Sequence, residues 1–191
     1  VDGVLVQYQR AQRVLHLAQA LDVPAASVQA ALYESGLETA HDSGALDATA
    51  YLARLGQQLG RKVDARTWIA ARQAASHPQD AVLQRLEHLK VPLAVLTNNG
   101  ALMVQALPSL LPALFPALNG RVFCSADFGL RKPQPAVFQR VLDVLQVAPA
   151  HTLFVDDLFA NVRGARAAGL HAETVRDGRG LGKVLKRYGV R

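Results

Sequence analysis

The sequence holds a single cysteine, Cys124, and no apolar run near the roughly 20 residues that a membrane-spanning helix requires. One cysteine excludes an internal disulfide and points to a reducing compartment, so a cytoplasmic location is expected. The first residues lack the basic head and long apolar stretch of a secretory signal. The six histidines form no H-E-x-x-H pattern and have no cysteine partners, which argues against zinc. Internal repeats and disordered linkers are also missing.

What is present suits a globular protein. The 191 residues, half of them hydrophobic and 19% charged, suffice for one domain, or for a core domain with a modest insert. The net charge of +6 is dispersed, and its densest run is the tail from Arg176 to Arg191. No aromatic ladder accompanies that run, as a single-strand binder would need, and cations also suit a helix C-terminus. Nucleic acid and membrane are therefore not the expected partners. A monomer or homodimer is expected.

Two grammars divide the chain. From about Gln7 to Leu89 the apolar spacing is helical, as in RAQRVLHLAQAL, ALDATAYLARLGQQLG and DARTWIAARQAA. ASVQAALYESG offers Ser27 as a cap and Gly36 as a stop. From Val91 onward, short apolar runs alternate with helical sequence: VPLAVLTNN, RVFCSADFG, HTLFVDD and LHAETV. That alternation predicts an α/β fold, a Rossmann-like open parallel sheet with helices on both faces. VDGVL reads as the tail of a further strand, separated from the rest by an all-helical cap. The expected division is 1–7 and 83–191 for the core and 8–82 for the cap. LPSLLPALFPALNG reads as an irregular crossover, and GRGLGK, which lacks phosphate-loop spacing, as a turn.

In an open parallel sheet, ligands bind at the carboxyl ends of the strands. Those ends carry Asp2, then Thr97 with Asn98 and Asn99, then Lys132 in a following loop, then Asp156 and Asp157. Each has an ordinary reading: a turn acid before Gly3, helix caps, a surface lysine, an acid pair at a helix N-terminus. Together they are more telling. Adjacent carboxylates at the end of a buried strand repel one another unless a cation neutralises them, and hard oxygen ligands suit Mg²⁺. A lysine and a strand-end hydroxyl beside such a metal form a cradle for a phosphoryl dianion.

In this order the motifs VDGVL, LAVLTNN, GLRKPQPAVF and LFVDDLFANVRGARAAGL resemble those of the haloacid dehalogenase-like hydrolase superfamily. The resemblance covers essentially the whole chain. GLETAHDSGALD is similar to a segment of its sugar-phosphatase and epoxide-hydrolase-N-domain branch. It implies a Mg²⁺-dependent phosphatase of small phosphorylated metabolites, sugar phosphates among them. The family's first motif is Asp-x-Asp-Gly, whose second Asp falls on Asp2. The first, the nucleophile that forms an aspartyl-phosphate, falls immediately before Val1, so residues 1–191 by themselves are expected to fold but not to turn over. Asp2 is then the acid/base. Thr97, Asn98 and Lys132 bind the phosphoryl group, and Asp2 (through its carbonyl), Asp156 and Asp157 hold the metal. Asn161 braces the metal loop. Having Asp2 favours phosphoryl transfer, since halide leaves without a proton. Tyr8, Glu34 and Glu38, with Gln9, Ser35 and His41, are the polar cap residues from which specificity is expected. A phosphomutase, or a non-catalytic pseudo-enzyme or regulatory binding domain of the same fold, remains an alternative.

Overall fold

The computed structural model describes residues 1–190; Arg191, counted above with the basic tail, lies outside them. Within VDGVL, Asp2 makes an isolated parallel bridge to Val6, and residues 3–5 form a tight turn in which Leu5 N and Val6 N both donate to the Val1 carbonyl, at 2.8 and 3.2 Å. Gly3 permits it, at φ +77°, where a side chain would be strained. Strand β1 (Val6–Tyr8) follows and pairs antiparallel with β2 (Ser76–Pro78), joining Val6 to Pro78 and Tyr8 to Ser76.

Between these two strands the chain is helical: α1 (Arg10–Leu21), α2 (Ala25–Gln29) running into a π-helical turn (Ala30–Glu34), α3 (Leu37–Asp42), α4 (Ala48–Leu59) and α5 (Ala65–Ala74). Asp47 and Asp64 cap α4 and α5, accepting from Ala50 N at 2.7 Å and Thr67 N at 2.8 Å. Ser27 is not a cap: α2 begins at Ala25, and Pro24 holds the capping position. The helices bury stripes such as Val14, Leu17, Ala18 and Leu21 of α1, and Tyr51 and Leu55 of α4.

After α6 (Asp80–Glu87) come β3 (Val95–Thr97), α7 (Ala101–Leu110), β4 (Val122–Cys124), α8 (Pro135–Leu145), β5 (Leu153–Asp156), α9 (Phe159–Ala167), β6 (His171–Thr174) and α10 (Gly178–Arg187). β3 pairs parallel with β4, setting Thr97 beside Cys124. β5 pairs parallel with β6, setting Asp156 beside Thr174. The ladders are short, so hydrogen bonds define two parallel pairs and one antiparallel pair. Parallel strands with helical crossovers make this an α/β fold. A second apolar cluster joins Val137, Phe138, Val162 and Ala165 around the edge of β5, where Phe138 meets Phe154 edge-on at 5.0 Å.

GRGLGK is the start of α10 rather than a turn. Asp177 caps it by accepting from Gly180 N at 2.6 Å, and Leu181 and Val184 bury against the body of the protein. Its last turn carries Lys186 and Arg187, as suits a helix C-terminus, and Arg187 pairs with Glu173 at 2.8 Å. No helix of the described residues is long and apolar enough to cross a membrane.

Candidate active site

β3 ends at Thr97, which is 2% exposed because β4 flanks the strand and α7 starts just beyond it. Its hydroxyl accepts from Asn99 N at 3.1 Å and from Asn99 Nδ2 at 2.8 Å. The same amide of Asn99 donates to Asp2 Oδ2 at 3.1 Å. Asp2 also receives Arg72 Nη2 on both oxygens, at 2.5 and 2.7 Å. One hydrogen-bonded chain thus runs Arg72–Asp2–Asn99–Thr97.

A second network holds the lysine. Lys132 is 8% exposed and Asp156 6%. Their head groups pair at 2.8 Å, and Lys132 Nζ also donates to the Leu96 carbonyl at 3.0 Å. Asp156 Oδ1 accepts from Leu158 N at 3.0 Å and Asn161 Nδ2 at 2.9 Å. Burial pushes the Asp156 carboxyl up. The Lys132 ammonium and these donors outweigh it, so the group sits below the usual carboxylate range. Asn161 braces the loop, as its spacing from Asp156 implied. Gly164, one turn on, packs where a side chain would overlap the Pro133 carbonyl, which lets α9 seat against the lysine loop.

Asn98, expected at the phosphoryl group, has its amide engaged elsewhere. Its Oδ1 accepts from Lys132 N and Ser125 Oγ, both at 3.0 Å, and its Nδ2 donates to the Lys132 carbonyl at 3.0 Å. It fastens the lysine loop to β3, so its side chain acts through Lys132.

Asp157 lies over Gly3, where a Cβ would overlap its carboxylate. Burial raises its carboxyl above the usual range, and the charge of Asp156 adds to that. Among the described residues no three His, Cys, Asp or Glu side chains converge as a metal-ligand set. The oxygens of Asp2 face Arg72 and Asn99, so Asp2 is available to a metal through its backbone carbonyl and not its carboxylate. Asp157, packed over Gly3, is a hard donor that fits Mg²⁺ as part of its shell, and so is Asp156, whose oxygens here accept from Lys132, Leu158 N and Asn161.

The other polar residues singled out in the sequence are either bonded within the protein or exposed. Glu38 accepts from Arg13 at 2.6 and 3.3 Å and from Tyr51 Oη at 2.5 Å, in a network that Trp68 Nε1 extends to Tyr51 at 3.1 Å. Its oxygens are filled from inside the helical segment, not turned to a substrate. Glu34 is exposed at the end of the π-helical turn. Tyr8 hydrogen-bonds Tyr33, and its ring lies 3.8 Å from the Arg72 guanidinium. Gln9 is exposed, and Ser35 Oγ donates to the Ala31 carbonyl at 2.6 Å. His41 is buried, stacked on Tyr51 and pressed against Gly100. Its neighbour Asp42 accepts from Gly100 N at 2.7 Å, joining α3 to the start of α7. Burial, with the charge of Glu38, pushes Asp42 up to about 6.

Sequence reading missed Arg72 and Asp42, and named Asn99 at the strand end without a role. Only Arg72 left a usable signal: it stands four residues after Trp68, on the stripe that α5 buries.

Comparison with known proteins agrees with this geometry. A family model described as a haloacid dehalogenase-like hydrolase matches residues 1–169. A phosphatase of Mycobacterium tuberculosis is 36% identical over 93 residues, which are 49% of this chain and 42% of that protein. The bifunctional epoxide hydrolase 2 of Rattus norvegicus is 38% identical over 53 residues, 28% of this chain and 10% of that one. The chain thus spans less than half the length of these curated relatives. Among solved structures, a HAD family enzyme of Bacteroides thetaiotaomicron superposes with a TM-score of 0.73 at 18% identity, covering 97% of this chain and 95% of that one. The same enzyme in complex with magnesium and inorganic phosphate gives 0.71 at 17% identity, covering 93% and 92%. The strand-end residues, the Rossmann-like α/β fold and a family match over most of its length show that the chain belongs to the haloacid dehalogenase-like hydrolases.

Proposed function

We propose that the protein is a Mg²⁺-dependent phosphatase of small phosphorylated metabolites, with residues 8–82 as a helical cap over a core of 1–7 and 83–191. The observation that carries this reading is the buried Lys132–Asp156 pair, with Thr97 buried at the end of β3 and Asp157 packed over Gly3, the residue after Asp2. The phosphatase among the relatives and the magnesium and phosphate complex among the fold neighbours support it.

The nucleophile is an Asp immediately before Val1, where the first Asp of an Asp-x-Asp-Gly motif falls when its second falls on Asp2. Its carboxylate attacks phosphorus and forms an aspartyl-phosphate as the bond to the leaving oxygen breaks. Asp2 protonates that oxygen, then takes a proton from the water that hydrolyses the intermediate. Thr97 donates its hydroxyl proton to a phosphoryl oxygen while its oxygen accepts from Asn99. Lys132 neutralises charge on the transferring group while holding Asp156 ionised. Asp156, Asp157 and the Asp2 carbonyl would hold the metal, which supplies charge neutralisation at the phosphoryl oxygens.

The test is hydrolysis of p-nitrophenyl phosphate and a panel of sugar phosphates, nucleotides and phosphoglycolate. The protein assayed carries the preceding Asp and is supplied with Mg²⁺. Turnover of the sugar phosphates that Asp2→Asn reduces by about 100-fold or more is expected. Absence of turnover across the panel overturns the reading in favour of a non-catalytic relative.

A further inference from the structure

Arg72 is 2% exposed, on a helix face otherwise lined by Trp68 and Ala71. A guanidinium withdrawn from water needs full compensation, and Arg72 does not have it. Its Nε donates only to the sulfur of Met103, at 3.3 Å, a weak acceptor. Its Nη1 is buried without a partner. As a packing device this is poor, since an apolar side chain would fill the space with no orphaned donor. Its strong contact is the grip of Nη2 on both oxygens of Asp2, with the Tyr8 ring 3.8 Å from the guanidinium. α5 leads directly into β2, and packs against α1 and α7. A rigid element therefore delivers Arg72 to Asp2 from the helical segment.

We infer that Arg72 is a positioning residue for the acid/base step: it fixes the carboxylate of Asp2 and ties its orientation to the seating of α5. Without it, Asp2 keeps one side-chain contact, the 3.1 Å bond from Asn99, and its carboxylate turns freely about its last torsion. Proton delivery depends on that orientation. As the nucleophile's oxygen bonds to phosphorus and the bond to the leaving oxygen breaks, an alkoxide must receive a proton from Asp2. p-Nitrophenolate leaves without one. The inference rests on the phosphatase reading, and this difference between leaving groups separates the two.

The experiment measures kcat/KM for p-nitrophenyl phosphate and for β-glycerophosphate, with Mg²⁺, in protein carrying the preceding Asp. Arg72→Gln and Arg72→Lys are compared with the parent, alone and with Asp2→Asn. We expect kcat/KM for the alkyl ester to fall about 100-fold and for the aryl ester less than about fivefold, through kcat rather than KM. In the Asp2→Asn background, the Arg72 substitutions then add nothing on the alkyl ester. Equal losses on both esters, or additive losses, overturn the inference and leave the phosphatase reading intact. Failure of both variants to melt cooperatively shows a structural role and also overturns it. A parent inactive on both esters removes the phosphatase reading, and this inference with it.

Discussion

The two halves of the site differ in how they are sealed. Lys132 and Asp156 have side chains only 6% and 8% exposed, and the amide of Asn161 closes the remaining oxygen from one turn away. Arg72 is as deeply buried, at 3%, but its partner Asp2 is 32% exposed. A group that only supplies fixed charge works best dehydrated, where its field is least screened. A group that passes protons to and from water must keep a face open to it. On the proposed reading, the sealed half holds charge and the open half exchanges it.

The sharpest way to break this contrast is Lys132→Met. It leaves Asp156 buried with hydrogen bonds but no counter-charge, and is expected to destabilise the fold by about 3–5 kcal/mol in urea titrations. Phosphatase activity should fall below detection. The pH dependence follows with it. Asp156 is depressed in the folded protein, so its stabilisation is present above the unfolded value near 4 and is lost as pH falls through the lower folded value. Lys132→Met should flatten that acid limb. A variant as stable as the parent, with the same acid limb, would remove the claim that the pair is the site's anchor.

Gly164→Ala addresses the sealed half from outside. The new methyl overlaps the Pro133 carbonyl, so α9 must retreat from the lysine loop, at a cost of about 1–3 kcal/mol. An unchanged melting temperature would show that the contact gives way freely.

Asp42→Asn sharpens the contrast at the junction of α3 with α7. Asp42 is raised to about 6, so its favourable contribution is complete below about 4 and is lost as pH rises through 6. The amide keeps an acceptor for Gly100 N but carries no charge to desolvate. Relative to the parent, the variant should gain about 1 kcal/mol between pH 4 and pH 7, after allowance for partial exposure. A parallel pH profile in the two proteins would contradict this. The smallest effect is reserved for Glu34→Gln, on the exposed end of the π-helical turn. It should change stability by less than about 0.5 kcal/mol and leave kcat/KM within about twofold.

How much of this could be read in advance differs along the chain. Thr97, Asp156, Asp157 and Asn161 were legible because each stands at a strand end or about one helical turn beyond it, and Lys132 because it precedes Pro133 in the loop that follows β4. Arg72 and Arg13 were not. Each lies at a helical position that the pattern reserves for an apolar residue, and only a carboxylate brought from elsewhere, Asp2 or Glu38, makes its burial tolerable. Glu38 misled in the opposite sense: nothing local shows that Arg13 and Tyr51 fill its oxygens. The glycine-rich start of α10 has poor helix propensity, which the Asp177 cap and the packing against α6 override.

From the sequence alone came the alternation of strands and helices, the helical segment, and the order of acid, threonine, lysine and acid pair. These follow from periodicity and from short-range sterics, which a linear chain carries in itself. The tertiary structure decided which charges meet: that Asp2 faces Arg72 and Asn99 while Asp156 faces Lys132, and that Asn98 serves the lysine loop. Partners as far apart as residues 2, 72 and 99 meet only after the apolar faces have packed. Which buried charges find a counter-charge is thus settled by that packing and not by any local signal.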